Sequence, residues 1–149
     1  MSDNSVAVKV VQEFWETFGN KHDVEAAAAF VDPDVMRQGP IPDPEEKDNC
    51  RGRDNYVTFL NHVVKVIPNY HVGLFRIFGS DDGYVALQGT EAVCINPGSD
   101  EETTNFVFGL FHVNDKGLID LVDWYWKQPD PELLKWLAAK DANAASAAS

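Results

Sequence analysis

The sequence predicts an α+β domain, with helices packed on one face of a long antiparallel sheet. Two observations carry this prediction. The segments with helical apolar periodicity fall almost entirely in the first 67 residues, and nearly everything from Pro68 to Pro129 alternates between turn signals. A third observation marks the sheet's last strand. Leu118 to Lys127 is rich in branched and aromatic residues and follows the turn sequence Asn114-Asp115-Lys116-Gly117.

Taken in order, Ser5 to Phe18 reads as a helix, with Ala7, Val11, Phe14 and Phe18 on one stripe, widened by Val10 and Trp15, and a stop at Gly19-Asn20. Asp23 is a good N-cap for a short second helix ending at Asp32-Pro33. Val35 to Gln38 reads as a short strand. Pro40, Pro42 and Pro44 then exclude a central strand, and Asp43 to Asp48 reads as a solvated acidic loop, with a lid at a cavity mouth as the alternative. Arg53 to Ile67 is the third helix, with Tyr56, Phe59, Leu60, Val63 and Ile67 as its apolar stripe and His62 beside it; Pro68 closes it. Strands follow at Tyr70 to Phe78, Tyr84 to Ile95, Thr104 to Val113 and Leu118 to Lys127, joined by turns at Ser80 to Gly83, Asn96 to Asp100 and Asn114 to Gly117. Asp130-Pro131-Glu132 starts a last helix through Leu137.

The 149 residues suit one domain, assigned to residues 1–140, with a small, polar, disordered tail at 141–149. The net charge of −12 argues against nucleic-acid or anionic-membrane binding, which needs basic surface. Cys50 and Cys94 are too few and too far apart for a disulfide scaffold or a zinc site, and His22, His62, His71 and His112 have no ligand-like spacing. No metal or cofactor is expected. The first residues carry no apolar signal core, and no run approaches the ~20 apolar residues of a membrane span, so the expectation is a cytoplasmic protein.

Two carboxylates stand out. Alternation along the last strand puts Ile119, Leu121, Asp123 and Tyr125 on one face, so Asp123 is a carboxylate flanked by apolar neighbours. The strand from Tyr84 repeats the pattern. Val85, Leu87, Gly89, Glu91, Val93 and Ile95 share a face on which Glu91 alone is charged, and Gly89 leaves space for a ligand or for close-packed backbone. An unpaired buried carboxylate is costly, so each must find a partner, take a proton or line a wet pocket. Separated by one strand, the two are expected to converge on a cavity suited to acid–base chemistry, with Arg37 as an ion-pair partner. The strand from Thr104 is apolar on both faces. Trp124, Trp126, Phe106 and Phe108 would then form an exposed patch, which points to a homodimer through the sheet.

The helix-rich first half, the Gly52-Arg53-Asp54 start of the third helix and the closing sheet resemble the nuclear transport factor 2-like superfamily over about residues 6 to 137. The resemblance implies a cone-shaped fold around an interior cavity. Asp120-Leu121-Val122-Asp123-Trp124 is similar to the closing-strand run of SnoaL-like polyketide cyclases, which implies Asp123 as the general acid/base. The chain also resembles limonene epoxide hydrolase, whose Asp-Arg-Asp triad would place its aspartates at Asp123 and Glu91. It differs at the triad arginine, where Gly89 stands, and at the water-holding tyrosine and asparagine, where Arg37 and Gly39 stand.

The expected function is cofactor-independent acid–base catalysis in an apolar cavity, a cyclisation or isomerisation of a polyketide-like or cyclic hydrophobic substrate. Asp123 and Glu91 would be catalytic, with Arg37, Tyr125, His62, Leu121 and Gly89 around the substrate. Epoxide hydrolysis is the second reading. A non-catalytic ligand-binding or dimerisation domain, with both carboxylates held in structural hydrogen bonds, is the third.

Overall fold

The computed structural model describes residues 4–38, 51–94, 101–127, 135–136 and 139–140. Helix α1 (Asn4–Trp15) continues into a π-helical turn (Glu16–Asn20), followed by α2 (Val24–Ala28), β1 (Val31–Gln38), α3 (Arg53–Val66), β2 (His71–Gly79), β3 (Tyr84–Cys94), β4 (Glu102–Val113) and β5 (Ile119–Lys127). The expected acidic loop Asp43 to Asp48, the turn Asn96 to Asp100, the tail from Asp141 and most of the last helix lie outside the described residues.

The strands form one sheet in the order β1-β5-β4-β3-β2. The pairs β2–β3, β3–β4 and β4–β5 are antiparallel. Only β1–β5 is parallel, because the chain passes through α3 and the whole meander between these two strands. The sheet is therefore mixed, and β1 starts earlier than expected. Val31, Asp32 and Pro33 are already strand, and Pro33 is tolerated because β1 lies at the sheet edge.

The helices cover one face. Phe14 and Phe18 from the first helical segment, Leu60 from α3, and Val85, Leu87, Phe111, Ile119 and Val122 from the sheet are fully buried together. Each such side chain contributes about 1.5–3 kcal/mol of burial. The ends are tied by specific bonds. Asp23 caps α2 by accepting from the Ala26 N–H at 3.0 Å. Asn20 closes the edge of β2 by accepting from the Val72 N–H at 3.0 Å. In the turn before β5, Asn114 accepts from the N–H groups of Lys116 and Leu118 at 3.0 and 3.1 Å.

Along β4 the alternation reads cleanly. Asn105, Val107, Gly109, Phe111 and Val113 are buried against the helices, while Phe106 and Phe108 are exposed on the outer face. In β5 the expected faces need correction. The register shifts between His112 and Val113, so Ile119 and Leu121 no longer share a face. Ile119 is fully buried, Val122 is buried opposite Phe111, and Trp124 lies opposite Gly109, all on the helix side. Leu121, Asp123 and Tyr125 lie opposite His112, Leu110 and Phe108, on the outer side. Trp124 therefore does not join Phe106 and Phe108 in one exposed patch.

Candidate functional site

Two cross-strand partners fix the orientation of the carboxylates, since paired residues share a face. Glu91 pairs with buried Asn105, and Asp123 pairs with Leu110. Asn105 and Leu110 are on opposite faces of the same strand, so Glu91 faces the helices and Asp123 faces away from them. The expected convergence of the two carboxylates is overturned. Strand alternation defines two faces for each strand, but register and the β5 irregularity decide which of them is the inner one.

The inner centre is built around Glu91, which is only 6% exposed. The Tyr70 hydroxyl donates to Oε2 at 2.9 Å and the Asn105 amide donates to Oε1 at 3.4 Å. Burial pushes the Glu91 carboxyl above the ordinary glutamate value, and the Tyr70 and Asn105 donors, with a smaller contribution from the Trp124 side chain, oppose the shift without cancelling it. Burial and the adjacent Glu91 together hold the Tyr70 hydroxyl well above its usual range, so it stays a donor.

The walls of this centre are aromatic. Trp15 stacks on Trp124 with ring centroids 4.1 Å apart, Phe18 packs on Tyr70 at 5.5 Å, and Phe14 joins Tyr56 at 6.1 Å. Gly109 makes the Trp124 placement possible. A Cβ there would lie 2.7 Å from the Trp124 ring and 2.6 Å from Phe111. Two buried polar atoms in these walls have no hydrogen-bond partner, Trp15 Nε1 and Asn105 Oδ1.

The other sequence candidates divide between the faces. Arg37 pairs with Val122, and its guanidinium lies 4.1 Å from the centre of the Phe59 ring of α3, on the inner side. Gly89 is also inner, but its space is filled by protein. A Cβ would lie 2.1 Å from the Gly73 carbonyl oxygen, so this glycine serves the close approach of β2 to β3, not substrate. His62 is exposed on α3, which corrects its assignment to the pocket. Leu121 and Tyr125 belong to the outer face with Asp123. The Tyr125 hydroxyl donates to Asp123 Oδ2 at 3.2 Å, while Asp123 Oδ1 is buried without a hydrogen-bond partner. The structure thus brings Glu91 and Arg37 to the inner side and separates them from Asp123, Leu121 and Tyr125.

Sequence reasoning passed over Tyr70, Asn105, Trp124 and Trp15 as site residues. One signal was available for Asn105. Alternation places it on the same face as Val107, Gly109 and Phe111, a polar residue at the head of an apolar row.

Among the described residues no group of three His, Cys, Asp or Glu side chains is placed to hold a metal ion. No described helix is long and apolar enough to cross a membrane.

A family model for the SnoaL-like domain matches residues 11–122. No curated protein matches the chain. Among solved structures, a limonene epoxide hydrolase-like epoxide hydrolase of M. tuberculosis is 24% identical, with a TM-score of 0.67, over 83% of this chain and 84% of that one. The epoxide hydrolase/cyclase-like enzyme SalBIII, from pyran ring formation in polyether salinomycin, is 20% identical, with a TM-score of 0.68, over 85% and 95%. RV0760c of M. tuberculosis, solved with estradiol-17beta-hemisuccinate, is 19% identical, with a TM-score of 0.68, over 82% and 94%. At these identities the likeness is one of fold.

Proposed function

The chain belongs to the SnoaL-like domain family of the NTF2-like superfamily, and from that premise we propose that it is a small-molecule enzyme working by acid–base catalysis at Glu91. One observation carries the reading: a single carboxyl group, buried among aromatic rings, whose affinity for a proton is raised by that burial. Such a group can hold its proton at higher pH than an exposed glutamate, and can pass it to a ligand oxygen in a dry site. Tyr70 and Asn105 then steady the carboxylate that is left, because both donate to it. Asp123 does not share this work, since it lies on the other face. Arg37, whose guanidinium lies over the Phe59 ring on the inner side, is a candidate for stabilising a developing anion.

The substrate class is a cyclic or polyketide-like hydrophobic molecule, and the reaction a cyclisation or isomerisation. The aromatic walls suit such a ligand, and the proton that leaves Glu91 returns to it, so no cofactor is required. Epoxide hydrolysis is the second reading, supported by the fold likeness to two epoxide hydrolase-type proteins. Turnover of a panel of cyclic epoxides and hydroxy-epoxides in oxygen-18 water separates the two. Labelled diol indicates hydrolysis, and an unlabelled ring product indicates isomerisation. Glu91→Gln should lower either rate by about 10²–10⁴-fold, the usual share of a general acid. A folded Glu91→Gln protein with unchanged turnover overturns the proposal, and absence of any turnover in the wild type favours a binding domain.

The outer face suits self-association. Phe78, Phe106, Phe108, Tyr84 and Tyr125 are all exposed there, on neighbouring strands. Light scattering at micromolar concentration should give twice the 16.6 kDa chain mass, and Phe108→Glu should shift it to the monomer.

A further inference from the structure

Asn105 is 4% exposed and sits on the inner face of β4. Its Nδ2 edge donates to Glu91 Oε1 at 3.4 Å, the orientation that the ionised carboxylate requires, since a carboxylate only accepts. That leaves Oδ1 as a buried acceptor with no partner. An unsatisfied buried polar atom costs about 1–3 kcal/mol, and such atoms are uncommon in folded proteins. The neighbouring residues do not relieve it. Tyr70 commits its hydroxyl to Glu91 Oε2, and Trp124 is engaged with Glu91 as well. A second orphan lies in the same aromatic wall, the Nε1 donor of Trp15, whose ring stacks on Trp124.

We propose that Asn105 is a specificity residue whose Oδ1 accepts a hydrogen bond from a hydroxyl group carried by the ligand. The inference rests on reading the inner centre as a ligand site. It narrows the substrate class, because a hydrophobic ring alone leaves Oδ1 unpaired, whereas a hydroxylated ring satisfies it. Asn105 also touches Glu91 through its other amide edge. A hydroxyl seated on Oδ1 therefore lies no more than about 8 Å from the carboxyl group, the span of two hydrogen bonds and the amide between them. The ligand is thus an alcohol whose O–H and the atom that meets Glu91 fit within that span, as in a hydroxy-epoxide or a hydroxy-ketone. Discrimination by this route is strong for its size, since a ligand lacking the donor must leave a polar atom dry.

Binding of cyclohexanol against its isostere fluorocyclohexane, followed by tryptophan fluorescence, tests the proposal on the full chain. Fluorocyclohexane matches the alcohol in shape but cannot donate. The wild type should prefer the alcohol by roughly 10-fold or more. Asn105→Leu should abolish that preference, and Asn105→Thr, which restores an acceptor, should recover part of it. Equal affinity for the two probes, no binding of the alcohol up to its solubility, or a preference that survives Asn105→Leu in a folded protein overturns the proposal. Failure of the acid–base reading shows elsewhere, as turnover retained by Glu91→Gln, and leaves the probe preference intact.

Discussion

Glu91 and Asp123 look alike in the sequence and differ in the fold. Each reads as the one carboxylate on an apolar face of a strand of branched and aromatic residues. Glu91 faces the helices, takes donors from Tyr70 and Asn105, and has its proton affinity raised by burial. Asp123 faces outward beside exposed Phe108 and Tyr125, and takes one hydrogen bond, from the Tyr125 hydroxyl. The difference teaches that a carboxylate on an apolar strand face has two physical resolutions. One is an enclosed donor network on the core side. The other is a place on a sheet face that stays apolar at the surface, where a partner chain would complete the environment.

The comparison can be broken first at the glycines and their neighbours. Gly89→Ala puts a Cβ against the β2 backbone on the inner face, so it should cost about 3 kcal/mol, read by urea unfolding. Gln88→Ala, on the adjacent outward-facing and exposed position, should stay within about 0.5 kcal/mol. Equal costs at the two positions would contradict the assigned faces.

Titration sharpens the comparison next. Glu91 has a folded value above the ordinary 4.5, so the native state holds this proton more tightly than the unfolded chain does. Its contribution to stability is present at low pH and falls as pH rises upward from about that value through the folded one. The melting temperature of the wild type relative to Glu91→Gln should therefore decline as pH increases across this window. A flat difference would mean that burial does not govern the group.

His112 gives a smaller, outer-face version of the same test. Burial alone would lower its affinity for a proton. The bond from Nδ1 to Asp120 Oδ1 at 2.6 Å, the contact with the Asp82 carbonyl and the charges of both aspartates raise it above the ordinary 6.5. The ring's stabilising contribution is complete below 6.5 and is lost as pH rises through the folded value. Asp120→Asn should bring the titration midpoint down, as read by proton NMR of the ring. The smallest effect is expected at Asp123 itself. Asp123→Asn should change turnover by less than about tenfold, well short of a general acid's share.

Much of the fold was legible because its signals are local. Helical periodicity located α1 and α3, turn chemistry located the hairpins of the meander, and alternation along β4 separated Val107 and Phe111 from Phe106 and Phe108. The expected strand at Val35 was too short because the Asp32-Pro33 pair reads as a break, whereas edge pairing with β5 tolerates it. Glu91 was legible as an isolated charge on an apolar row. Its partners were not, since Tyr70, Asn105 and Trp124 meet it from three different strands or their approaches.

By itself the sequence determined the helix-then-meander order, the family and the presence of two unusual carboxylates, because periodicity, turn residues and local motifs are properties of neighbouring residues. Only the tertiary structure decided which carboxylate lies inside, that Gly89 makes room for backbone, and that Trp124 belongs to the inner wall. Those outcomes depend on pairing register, on the irregularity between β4 and β5 and on contacts across the sheet. One inserted residue there reverses the face of every side chain that follows.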